Sequence, residues 1–62
     1  MLIKNRIARL VALRLEKTAD RYDQIWAIKQ ALFIADLEIF ATDRPMIDDI
    51  LDVLFDEYGF QA

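Results

Sequence analysis

Sixty-two residues make one domain, and the chain contains no cysteine, histidine or serine. Disulfides, Cys/His zinc sites and the familiar nucleophile–base pairs are therefore excluded, which argues against an enzyme and for no cofactor. A 56% apolar fraction beside 31% charged residues and a net charge of −3 describes a folded, acidic chain whose apolar surface exceeds what so small a core can hide.

The first element is expected as a helix over about residues 2–18, with Ile3, Ile7, Val11 and Leu15 on its apolar face. Leu10 and Leu13 sit on a shoulder among Arg6, Arg14 and Lys17. The basic character of residues 1–17 resembles a targeting segment, but it lacks both serine richness and an unbroken apolar centre. We read it as part of a single domain spanning residues 1–62.

The polar cluster KTADRYDQ divides this helix from the next, with Thr18 or Asp20 as the capping residue. The second helix is expected over about residues 21–41, carrying two apolar stripes. Ile25, Ile28, Leu32 and Ile39 form the aliphatic one, and Tyr22, Trp26, Phe33, Leu37 and Phe40 the largely aromatic one. Lys29 and Asp36, two turns apart, fall in the seam between them. A helix apolar on two sides is buried on two sides, so the aromatic stripe is assigned to self-association. In an antiparallel pair crossing near residue 33, Lys29 of each chain would meet Asp36 of the other, and slippage would leave charges unpaired; the equal alternative is that Lys29 reaches past Trp26 or Phe33 to water and Asp36 meets a basic residue of the first helix.

The third helix is the best punctuated. Thr42 or Asp43 caps it, Pro45 suits its first turn, and Gly59 suits the left-handed position beyond its end, giving about residues 44–58. Met46, Ile47, Ile50, Leu51, Val53, Leu54, Phe55 and Tyr58 share one arc, with Asp48, Asp49, Asp52 and Asp56 opposite. The tail FQA is expected to return Phe60 to the core. Strand alternation and Asn-Gly hairpin turns are absent from the sequence. The fold expected is all-α, a helical hairpin plus a C-terminal helix, associating into a helical-bundle homodimer or a higher oligomer.

Charge divides the chain unevenly. Residues 1–21 hold six basic and two acidic side chains, a net +4, whereas residues 22–62 hold two basic and nine acidic, a net −7. One account is that the first helix lies against the acidic helices. The functional reading is a non-catalytic interaction or regulatory protein that binds itself and another protein, presenting the acidic face Asp48, Asp49, Asp52 and Asp56. Size alone suggests an accessory regulator of the phage or plasmid type. The alternative is a nucleic-acid-binding regulator using Arg6, Arg9, Arg14 and Lys17, which the net negative charge disfavours. Membrane binding ranks lower, since every aromatic residue lies after residue 21 and the longest apolar run, ALFIA, is far too short to span a bilayer. A cytoplasmic location is the default expectation.

Overall fold

The computed structural model describes residues 2–62. Among them the chain is all-helical: α1 (Ile3–Ala12), α2 (Arg21–Ile34), a short 3₁₀ turn (Glu38–Phe40) and α3 (Arg44–Tyr58), with no strand. The core is built from Ile7, Ala8 and Val11 of α1, Ile28, Ala31 and Leu32 of α2, Ile47, Ile50, Leu51, Val53 and Leu54 of α3, and Phe60 from the tail. Among the described residues no helix is long and apolar enough to cross a membrane.

α3 follows its local signals. The Asp43 carboxylate accepts from the Met46 N–H at 3.1 Å, Pro45 lies in the first turn where its missing N–H costs nothing, and Gly59 takes φ 76°. The Gly59 and Phe60 N–H groups then both donate to the Leu54 carbonyl, turning Phe60 inward. At the start of α2 the cap is Asp20, which accepts from the Asp23 N–H at 2.8 Å.

The first two helices are both shorter than their apolar periodicity predicts. α1 stops at Ala12 rather than near residue 18, with no glycine or proline to stop it. Its end is a tertiary matter. The segment that follows α1 is tied instead, through its carbonyls, to the C-terminal tail and to α2. The Lys17 carbonyl accepts from the Gln61 N–H at 3.4 Å, the Thr18 carbonyl from Gln61 Nε2, and the Ala19 carbonyl from Gln24 Nε2 at 2.9 Å.

α2 ends at Ile34 in a Schellman turn. The Leu37 N–H reaches the Leu32 carbonyl at 2.7 Å and the Asp36 N–H reaches the Phe33 carbonyl at 3.1 Å. Asp36 occupies the left-handed position at φ 62°, which glycine usually fills and which aspartate tolerates better than most residues. The turn folds Leu37 and Phe40 back against the core, where both are half-buried, and leaves Ile39 facing solvent. Asp36→Gly should raise stability by about 0.5 kcal/mol, and Asp36→Val should lower it by about 1–2 kcal/mol, since a β-branched side chain is worst in this backbone region. Urea midpoints decide it; a destabilised glycine variant would mean that the carboxylate, not the backbone, governs this turn.

α1, not α2, is the helix with the broadest packing: it lies most extensively on α3 and next on α2, whereas α2 and α3 touch less. The accessible surface of 4293 Å² is close to the roughly 4,200 Å² expected of a folded monomer of this mass. The single chain thus buries about what its size allows, and its surplus apolar residues lie on the surface.

Candidate interaction surface

The two stripes of α2 meet different fates. Ile28 and Leu32 are in the core and Ile25 is half-buried, while Tyr22, Trp26 and Phe33 are 76%, 59% and 65% exposed. These three, at i, i+4 and i+11, share one outward face of the helix. Beside them Ile34 is also exposed, a residue that the stripe assignment passed over. Its position one residue after Phe33, on the shoulder of the aromatic face, was the available signal.

Trp26 and Ile34 form part of one wall of a groove between α1 and α2. Leu10, Val11, Arg14 and Leu15 line one side, and Trp26, Ala27, Gln30, Ala31 and Ile34 the other. Small residues make the hollow: Ala27 and Ala31, one turn apart, and Val11 leave space between the larger flanking side chains. Its volume is about 250 Å³, below the roughly 300–1,000 Å³ of clefts that hold small molecules. Such a groove suits one large side chain. Leu13, just beyond the end of α1, is exposed as well.

The remaining residues assigned to self-association are placed otherwise. Asp36 lies past the end of α2 in the turn, so it does not continue the edge on which Lys29 stands, and the reciprocal Lys29–Asp36 pairing of an antiparallel α2 dimer loses its helical basis. Leu37 and Phe40 face their own core. Lys29 instead lines a second cleft, of about 410 Å³, between α2 and the start of α3. Arg21 and Lys29 from α2 face Arg44 and Asp48 from α3 there, above Ile25, Ile47 and Leu51. Charge across this seam is mixed, and α2 and α3 touch only to a limited extent.

The acidic residues Asp48, Asp49, Asp52 and Asp56 are all exposed on α3, and Phe55 stands among them at 54% exposure. No group of carboxylates among the described residues is placed to hold a metal ion. Arg6, Arg9, Arg14 and Lys17 are exposed too, but they do not share one helix. Arg6 and Arg9 lie on α1, whereas Arg14 and Lys17 belong to the segment after it. Lys17 is engaged within the chain, its Nζ 5.5 Å from the centre of the Phe60 ring.

Compared with protein-family models, curated proteins and solved structures, the chain matches none.

Proposed function

We propose that this chain is a non-catalytic interaction module that self-associates and engages other proteins through the outward face of α2. The observation that carries the reading is the line Tyr22, Trp26 and Phe33, solvent-exposed and continuous through Trp26 with an apolar groove. Aromatic side chains concentrate at protein interfaces because they bury much area for little rotamer entropy. The acidic face of α3 supplies a charged surface for a basic partner, and the accessory-regulator role remains part of this proposal. The alternative, nucleic-acid binding through Arg6, Arg9, Arg14 and Lys17, has less support because those residues are split between α1 and the following turn and the net charge is −3.

Sedimentation equilibrium tests the reading. The parent should show an average mass above 7.3 kDa that rises with concentration, and Trp26→Asp should remain at 7.3 kDa while retaining its helical circular dichroism. A parent that stays monomeric to millimolar concentration would end the self-association reading. A Trp26→Asp variant that associates like the parent would remove the aromatic face from it.

A further inference from the structure

We propose that a second copy docks head to tail, with Phe55 on α3 of one chain entering the α1–α2 groove of the next. This inference rests on the self-association reading above and specifies its geometry. The groove is lined only by α1, α2 and the segment after α1, and Phe55 projects to solvent from α3. One chain therefore offers socket and plug on different helices, and filling its socket leaves its plug free.

Charge selects this pairing over those of like with like. On α3, Asp48, Asp52 and Phe55 lie at i, i+4 and i+7, and Asp56 follows Phe55 directly, so the exposed ring is bordered by carboxylates. Around the groove the sign is reversed. Arg14 is its one charged lining residue, and Arg9 on α1 is exposed. Docking Phe55 into the groove places an apolar side chain against Leu10, Leu15, Trp26 and Ile34 and brings acids toward Arg14. Pairing α3 with α3 would set carboxylates against carboxylates, and pairing groove with groove would set Arg14 against Arg14. Like-charge juxtaposition penalises both of these like-with-like arrangements.

The opposed charges of residues 1–21 and 22–62 extend the same preference over longer range, so association should weaken with added salt. A contact between two different surfaces has a property that pairing of like surfaces lacks: two defective variants can rescue each other, and growth of the parent past a dimer separates head-to-tail docking from a reciprocal two-fold exchange of plug and socket. Phe55→Glu removes the plug and leaves the groove intact; Ile34→Glu damages the groove and leaves the plug intact. Phe55 and Ile34 are both more than half exposed, which favours folding of the variants.

The experiment is sedimentation equilibrium of each variant alone and of a 1:1 mixture, at low and high salt, with circular dichroism to check folding. Each variant alone should be at least tenfold weaker in association than the parent. The mixture should form a dimer and nothing larger, because the one competent plug meets the one competent socket and growth stops there. If the parent associates and the mixture stays monomeric, head-to-tail docking is wrong; if Phe55→Glu associates as the parent does, Phe55 is not the plug. In either case self-association through α2 still stands when Trp26→Asp abolishes it. A monomeric parent overturns both readings. Should Phe55→Glu fail to fold, the double variant Asp52→Arg, Asp56→Arg takes its place in the mixture with the same outcomes.

Discussion

Phe60→Ala should leave the protein largely unfolded at 25 °C. Phe60 is third from the C-terminus, yet it is 1% exposed and ranks among the largest fully buried side chains. Its N–H donates to the Leu54 carbonyl at 3.0 Å, fixing its direction, and Lys17 covers the ring. Truncating a buried phenylalanine costs about 3–5 kcal/mol, the sum of lost transfer energy and the cavity left behind. A single core of this size rarely supplies more than about 3–5 kcal/mol in total. Thermal unfolding followed by circular dichroism checks the prediction, with Gln61→Ala as a milder companion expected to lose about 1–2 kcal/mol. A cooperative Phe60→Ala transition within a few degrees of the parent would mean that the tail is not part of the core.

Gln24→Glu should be comparably damaging near neutral pH, and its damage should depend on pH. Gln24 is 2% exposed and is the one buried polar side chain of the described core; its Nε2 donates to the Ala19 carbonyl at 2.9 Å and to the Gln61 carbonyl at 2.8 Å. One amide thus ties the segment before α2 to the C-terminal tail. A carboxylate at this place has no proton to donate and would face two carbonyl oxygens out of water, whereas a protonated carboxyl can still satisfy one of them.

The folded-state pKa of that glutamate would therefore stand above its unfolded value of about 4.3. Above pH 4.3 the folded state then holds the proton that the unfolded state has lost, so stability relative to the parent falls as pH rises. The slope is about 1.4 kcal/mol per pH unit until the folded pKa is passed. Below pH 4 most of the deficit disappears. Gln24→Leu should instead lose about 1–3 kcal/mol, the cost of orphaning carbonyls, with no pH dependence of its own. Urea titrations of the three proteins between pH 4 and 7 separate these results. A constant gap between Gln24→Glu and the parent across that range would show that the side chain at 24 reaches water.

Both predictions involve contacts between residues far apart in the chain, Gln24 with Gln61 and Lys17 with Phe60, and these are the contacts that periodicity cannot foresee. In the candidate site, Tyr22, Trp26 and Phe33 could be picked out from their spacing, as could the acidic face of α3. Leu37, Phe40 and Asp36 could not be placed correctly, because the aspartate at the turn carries no recognised stop signal and the apolar pattern runs through it without interruption. Leu10 and Leu15 as groove walls, and Phe55 as an exposed ring rather than a core residue, depend on how the helices sit against one another. On a helical wheel Phe55 lies at the edge of the apolar arc, where a small rotation of the helix decides between burial and exposure.

Composition and local chemistry account for the all-helical class, for the start of α2 at the Asp20 cap, and for both ends of α3, where Asp43, Pro45 and Gly59 act on backbone groups within a few residues. Those effects are short-ranged and belong to the residue itself, so they can be read before the chain is folded. The ends of α1 and α2, the choice of α1 as the most widely packed helix, and the division of the α2 stripes into core and surface follow from long-range packing. The segment at residues 17 to 19 is held by donors from Gln61 and Gln24, and Ile28 and Leu32 face inward because α1 and α3 leave room for only one face of α2. Such outcomes are set by competition between surfaces for a limited interior, which exists only once the three helices have met.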